Sequence, residues 1–409
     1  MEKHYGWVVV AAGAVITCLA MGAMFALPVY KSAIATEMGW SDAGISLAMS
    51  IGFITMGVAG FGWGTLSDKI GARPVVLIAA ALLGAGLVLA SQTRDLVVFQ
   101  FAYGGLVGAS GGAFFAPIIA ATLGWFDKNR SLAVSLVSLG GGVAPMTMSP
   151  LAAYLIDHVG WRGAMFWIAV AATVIIVPAS LLIRRAPWHD SIGAAPNPAA
   201  GATPAKQASG FSVLRTPQFL VLAGTFFLCF AAHSGPIFHT VSYAIICGAT
   251  LAGATGIYAI EGVAGLFGRL IFGVLADRIG VRKVIVAGLA LQAVGIYCYI
   301  YLTEITHFYM LAAVLGLAYG GVMPLYSVLA REYFPPRLLG TVLGAATMTS
   351  SIGMAFGPLG GGWLHDTYGT YHWLYIASAG VGIAAAAMAL AFPPATKDVD
   401  GAPGLPQAA

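Results

Sequence analysis

Charge is what this chain has least of. Only 8% of its 409 residues are charged, against about a quarter in soluble globular domains, and so small a share excludes a cytosolic enzyme and a disordered chain. Cysteine is also scarce: Cys18, Cys229, Cys247 and Cys298 all lie in apolar stretches without CxxC or metal-ligand spacing. They read as packing residues, not as a disulfide scaffold or a metal centre. The 19 Lys and Arg exceed the 15 Asp and Glu by only four and form no basic run, so no nucleic-acid partner is expected. There is no GxxxxGK[ST] loop, no pair of acids at mid-span and no His/Asp cluster or nucleophile beside a base. ATP-driven transport and intramembrane catalysis are thereby excluded, and no metal or cofactor is expected.

What is present is apolar: 59% hydrophobic residues and a mean hydropathy of +0.88. The runs are too long for the alternating strands of an outer-membrane barrel, which leaves an all-α membrane protein. A bilayer core of roughly 30 Å takes about 20 helical residues. Cutting at charges and turn residues gives twelve spans, numbered 1 to 12: Trp7–Tyr30, Ser41–Ser67, Pro74–Ser91, Leu96–Gly124, Leu132–Ile156, Gly163–Ile183, Gln218–His239, Leu251–Ala276, Val284–Thr303, Phe308–Ala330, Leu339–Leu364 and Trp373–Phe392. The first run is long enough to span and has no cleavage site after it, so it is expected to stay as span 1.

Composition changes only between spans 6 and 7, where Ala, Pro, Gly and Ser replace the apolar pattern. The expected organisation is a six-helix bundle (1–184), a cytoplasmic linker (185–215), a second six-helix bundle (216–393) and a cytoplasmic tail (394–409). With both termini cytoplasmic, fifteen basic residues lie on that side and three, Lys31, Arg94 and Arg162, on the other. This split fixes the orientation by the positive-inside rule and implies a multi-pass protein of the cell (inner) membrane.

The two bundles repeat. Gly64-Thr65-Leu66-Ser67-Asp68-Lys69-Ile70-Gly71-Ala72-Arg73 follows span 2, and Gly273-Val274-Leu275-Ala276-Asp277-Arg278-Ile279-Gly280-Val281-Arg282 follows span 8, 209 residues later. Twelve spans with this duplicated loop resemble the major facilitator superfamily. An acid beside bases at a helix end suits a charge network that locks the cytoplasmic side, with Asp68, Arg73, Asp277 and Arg282 as the gating residues. The plainer reading is a solvated helix end; the duplication favours the gate.

Tyr5-Gly6-Trp7-Val8-Val9-Val10 resembles the entry to the first helix of monocarboxylate transporters, although Lys3 and His4 stand where that family has an acid. Trp125-Phe126-Asp127-Lys128-Asn129-Arg130-Ser131-Leu132-Ala133 resembles the same family's signature between spans 4 and 5, and Gly140-Gly141-Gly142 follows at its glycine-rich position. Oxalate/formate exchangers share much of this pattern. The resemblance implies a small organic anion as cargo.

Nineteen basic residues less eighteen leaves Arg269, inside span 8. Eight residues before Asp277, it lies about 12 Å from the helix end. A guanidinium at that depth costs several kcal/mol unless it is paired or hydrated, and its donor fork suits a carboxylate. Snorkelling to headgroups and an ion pair with Glu261 are the rival readings, and the apolar neighbours Leu266, Phe267, Leu270 and Ile271 offer no polar route out. Glu261, the one acid well inside a span, lies about two turns from Arg269. It suits a proton relay, or equally a structural hydrogen bond near Gly262. The resemblance implies an acid one turn before the arginine, where this chain has Gly265.

Matching depth adds Phe115, Leu139, Leu27 and Tyr319 as an apolar slot for a short tail, with glycines 316, 320 and 321 expected to open space around Tyr319; Tyr326 is a second hydroxyl. His233 and His239, towards the outer end of span 7, suit proton entry or interfacial solvation, and His233 joins Glu261 as a proton-coupling candidate. Lys31 is placed to attract anions at the outer vestibule. The expected function is alternating-access symport of a lactate- or pyruvate-like monocarboxylate with a proton, by a monomer in the lipid bilayer. The alternative is anion exchange of the oxalate/formate type, for which a second cavity cation would be expected.

Overall fold

The computed structural model describes residues 2–126, 130–184, 212–334 and 339–392. All regular elements among them are helical. Ten helices are long and apolar enough to cross a bilayer, and they depart from the twelve expected spans in two places. Spans 5 and 6 run together as Arg130–Leu181, parted at Gly160 with φ of +70°. Span 4 is broken: Leu96–Phe99 continues as the π-helix Gln100–Val107 and then Gly108–Gly111, and the chain resumes as Ala116–Leu123.

Span 1 is Glu2–Phe25 and Leu27–Met38, and spans 2 and 3 are Asp42–Ile70 and Ala72–Gln92. Spans 7 to 12 are Pro217–Ile246, Leu251–Ile279, Val281–Cys298, Ile305–Tyr333, Leu339–Tyr368 and His372–Leu390. Of the expected linker, Ser212–Arg215 form a 3-10 turn with Val213 buried. Residues 185–211 and the expected tail lie outside the described residues.

The break in span 4 has a packing cause. A Cβ on Gly104 would sit 2.5 Å from the carbonyl oxygen of Ala48, and one on Gly108 2.5 Å from the Cα of Gly52. Spans 2 and 4 therefore touch backbone to backbone, the approach that small residues permit in a bilayer. Farther along, Pro117 has no N–H to give the preceding turn. The Thr17 hydroxyl of span 1 instead donates to the Phe114 carbonyl at 3.1 Å, partnering backbone at the break.

The sequence repeat reappears in the backbone. Six described glycines have positive φ, and they form three pairs 209 residues apart: Gly39 and Gly248, Gly71 and Gly280, Gly160 and Gly369. Gly71 and Gly280 end spans 2 and 8 at φ +93° and +94° with extended ψ, a region essentially closed to other residues. The helix starts match as well: Ser41 and Thr250 accept from the amides of Gly44 and Gly253 at 3.0 and 3.1 Å, satisfying donors that a helix N-terminus leaves free.

Two apolar cores result. One joins spans 1 to 6 with the Lys31-end portions of spans 7 to 12, including Phe238, Tyr258, Ile296, Phe308 and Leu374. The other, around Leu222, Val284, Ile285, Leu329 and Phe392, belongs to spans 7 to 12 alone and lies towards the end that carries the repeated loops. Among the described residues, the two sets of helices are thus fused at the Lys31 end and have separate cores at the basic end.

Candidate functional site

Arg269 extends from span 8 to span 5. A Cβ on Gly142 would lie 3.2 Å from Nη2 and 3.7 Å from Cζ, so the guanidinium rests on bare backbone of the opposite set. Among the described residues it has no carboxylate partner and donates no hydrogen bond. The expected alternative, a pair with Glu261, is not formed.

Glu261 binds His233 instead, Oε1 to Nε2 at 3.2 Å. The His233 ring lies flat on Tyr319, with centroids 3.9 Å apart and planes within 6°, and Phe230 meets the Tyr319 ring edge-on at 6.0 Å. Arg269 and Glu261 are both within electrostatic reach of the Tyr319 hydroxyl. His233 is buried and its Nδ1 has no hydrogen-bond partner, which corrects its expected interfacial alternative. An imidazole nitrogen and a carboxylate oxygen thus meet within hydrogen-bond distance beside Tyr319.

The glycines near Tyr319 do something other than open space. A Cβ on Gly316 would be 2.2 Å from the Glu261 carbonyl oxygen, one on Gly320 2.4 Å from that of Gly265, and one on Gly321 2.4 Å from the Phe272 ring. They seat span 10 against span 8. Tyr326 is buried with its hydroxyl unpartnered and its ring against Phe226, in the core of the second set.

Register between spans 1 and 5 places the remaining candidates. Gly140 packs on Ala14, Gly141 on Thr17 and Gly22 on Met148, so the guanidinium at Gly142 lies near the level of Thr17. Phe115, 46% exposed at the break beside Phe114, shares that level through the Thr17 bond. Leu139, half-buried, is one turn away. Leu27 is corrected: it is fully buried, ten residues beyond Thr17 and so about 15 Å towards the Lys31 end.

At the basic end the expected charge network has no ion pair among the described residues. Arg73 and Asp277 are exposed, Arg282 donates to the Leu390 carbonyl within its own set, and the Asp68 side chain lies outside the described residues. No ion pair among the described residues joins the two sets there. Contacts between spans 2 and 11 run from Gly362 on Ala43, through Leu359 N donating to Ser50 Oγ at 3.2 Å, to Gly57 on Ser351. Beyond them, Gly62, Gly64, Gly273 and Gly344 have nothing within 4 Å of a Cβ position.

The network stands at the other end. Lys31, expected to face a vestibule, is 1% exposed and donates to Asp42 at 2.8 Å. Around that pair gather His239, His365 and Tyr371 from the second set. Sequence reasoning missed Asp42, His365 and Tyr371, which lie at span ends where a charge reads as ordinary solvation. His239 is fully buried, not interfacial.

The sequence matches the model of the Major Facilitator Superfamily over residues 12–278 and 248–407. The chain belongs to that superfamily. It is a membrane transporter, not an enzyme, and proteins named monocarboxylate transporters are among its relatives. It is 27% identical over 385 residues to mouse monocarboxylate transporter 11, covering 90% of this chain and 83% of that one. Bovine monocarboxylate transporter 13 is 27% identical over 378 residues, covering 90% and 85%. The uncharacterised transporter YhjX of Escherichia coli K12 is 25% identical over 353 residues, covering 83% and 84%. Among solved structures, a bacterial homologue of the lysosomal transporter Spinster superposes with a TM-score of 0.74 at 15% identity, covering 94% and 95%. The nucleoside transporter NupG does so at 0.72 and 14%, covering 94% and 99%. At such identities the two structures speak for the fold alone.

Proposed function

We propose that the chain carries a small monocarboxylate of the lactate or pyruvate type together with a proton, by alternating access across the cell membrane. The observation that carries this reading is Arg269: a guanidinium far from the helix end, resting on Gly142 of the opposite set, with no carboxylate among the described residues to neutralise it. A bound carboxylate supplies the missing charge and takes two donors at once. Phe115 and Leu139 border its level and accept a short apolar tail. The names of the monocarboxylate relatives point to the same cargo.

The proton is assigned to the His233–Glu261 pair, steadied by Tyr319. Anion plus proton adds no net charge, so the loaded carrier meets the same electrical conditions as the empty one. The basic end is assigned to the cytoplasm by the positive-inside rule, and the arrangement described is then open inward and sealed outward. On turning outward-open, the two motif loops come together, and Asp68, Arg73, Asp277 and Arg282 close the inner gate. The protein works as a monomer in this scheme, since both sets of helices that hold the site are in one chain.

Reconstituted vesicles test the reading. Lactate uptake should be stimulated by an inward proton gradient and lost in Arg269→Ala that remains folded; undiminished uptake in that variant overturns it. Uptake that needs an internal oxalate or formate load, and ignores pH, identifies an exchanger instead.

A further inference from the structure

Five side chains from five elements meet in a nearly dry cluster at the Lys31 end. Lys31 donates to Asp42 Oδ2 of span 2 at 2.8 Å and to the Tyr371 hydroxyl, in the turn before span 12, at 2.6 Å. Its ammonium also lies 2.9 Å from Nδ1 of His239 in span 7. Tyr371 donates to Asp42 in turn. His365 of span 11 places Nδ1 3.1 Å from the same carboxylate and stacks its ring on Tyr371 at 4.3 Å. The neighbouring Asp366 accepts from the Asp42 and Ala43 amides at 3.1 and 2.8 Å.

The partners of His239 fix its protonation state. An ammonium has no lone pair, so Nδ1 must accept from Lys31. Nε2 lies 2.9 Å from the Pro358 carbonyl oxygen, which brings no proton, so Nε2 must donate. The ring is therefore neutral and protonated on Nε2. A second proton, on Nδ1, would set donor against donor and two positive charges 2.9 Å apart in a buried site. Asp42 is the facing countercharge, and Lys31, His365 and Tyr371 already share it. The ring has no room to turn away, because span 11 lies on it: a Cβ on Gly361 would be 2.6 Å from Nε2 and from Cδ2.

We infer that His239 is the proton-operated latch of this end. Neutral, it ties span 1 to spans 7 and 11 through Lys31; protonated, it expels Lys31 and the seal opens. Opening towards a compartment is thereby tied to protonation from that compartment. This rests on the alternating exposure proposed above and not on the cargo.

The test reads opening directly, without cargo. Ser50, buried beneath the cluster at the contact between spans 2 and 11, is replaced by cysteine in a chain with its four native cysteines changed to serine. A membrane-impermeant maleimide is applied from the Lys31 side, and labelling is normalised to a cysteine at the exposed Thr303 on the same side. Between about pH 7.5 and about pH 5.5, where histidine titrates, normalised labelling should rise by about three- to tenfold, within the roughly tenfold per pH unit that one proton allows. His239→Gln offers an acceptor to Lys31 and a donor to Pro358, and should label slowly at both pH values. Lys31→Gln, with no ammonium for a protonated ring to repel, should lose the pH response independently. A rise that survives in both variants, or no rise in the parent, overturns the latch. Because no anion is present, failure of the Arg269 assignment leaves this result unaffected.

Discussion

Spans 2 and 8 begin alike at Ser41 and Thr250 and end alike at Gly71 and Gly280, yet they differ where they pass the middle of the molecule. At the positions of Glu261 and Arg269, 209 residues earlier, span 2 has Gly52 and Gly60. At the position of His233, span 1 has Met24. That methionine lies 3.7 Å from a Cβ on Gly52 and 2.8 Å from one on Gly111, much as His233 touches Glu261 and Tyr319. The frame is held twice by backbone conformation and capping. The chemistry is held once, in the second set, and the first set faces it with apolar groups and bare backbone. Two charged copies would set two cations and two acids in one desolvated space, whereas one copy leaves, on the proposed function, a single seat for a single anion.

The largest expected effect breaks this asymmetry on its charged side. On the proposed function, Arg269→Ala removes two charge-assisted hydrogen bonds to the bound carboxylate, each about 1.5–3 kcal/mol, so initial uptake should fall by about 10²- to 10⁴-fold. Gly60→Ala at the matching position meets only ordinary contact with the Gly112 Cα at 3.7 Å and should leave uptake within about threefold. Vesicle uptake of both variants, normalised to folded protein, checks the pair. Equal losses would mean that position 269 matters as packing.

Next comes the proton. Glu261→Gln keeps the size of the side chain and its contact with His233 but gives up the carboxylate. Accumulation driven by a one-unit pH gradient, at most about tenfold for one coupled proton, should vanish, while counterflow of labelled against unlabelled anion continues. Accumulation that persists removes Glu261 from the coupling path.

The frame itself is tested at Gly71 and Gly280. A side chain at such φ and ψ costs about 1–3 kcal/mol, so Gly71→Ala and Gly280→Ala should each lower the thermal midpoint in detergent by similar amounts. A strongly unequal pair would show that the two repeats do not bear load alike.

Much of this was legible in the sequence, for physical reasons that mark the boundary. A guanidinium in a bilayer is so costly that Arg269 stood out without a structure, and the positive φ at Gly71 and Gly280 falls inside the loop motif already visible as a repeat. The break in span 4 was not legible, because it depends on Gly104 and Gly108 meeting span 2 across space. The glycines beside Tyr319 were misread for the same reason: a missing Cβ signals either a cavity or a close neighbour, and Gly316 has Glu261 against it. Nor does a sequence bring Lys31 to His239 and Tyr371, 208 and 340 residues away; Lys31 and His239 read singly as vestibule or interface residues, and Tyr371 carries no signal of its own.

The smallest expected effect separates frame from seal. Ser41→Ala and Thr250→Ala each remove a cap of about 1 kcal/mol, and on the frame alone their thermal midpoints should drop equally, by about 2 °C. Ser41, however, holds the first turn of span 2, whose Asp42 and Ala43 amides bind Asp366 of span 11 across the seal. The amides that follow Thr250 make no described bond to the other set. Ser41→Ala should therefore also raise labelling of the cysteine at position 50 from the Lys31 side, by about twofold, while Thr250→Ala leaves it unchanged. If both caps move labelling equally, span 2 does not transmit its start to the seal, and the closure depends on side chains such as Lys31 and Asp42 without help from helix capping.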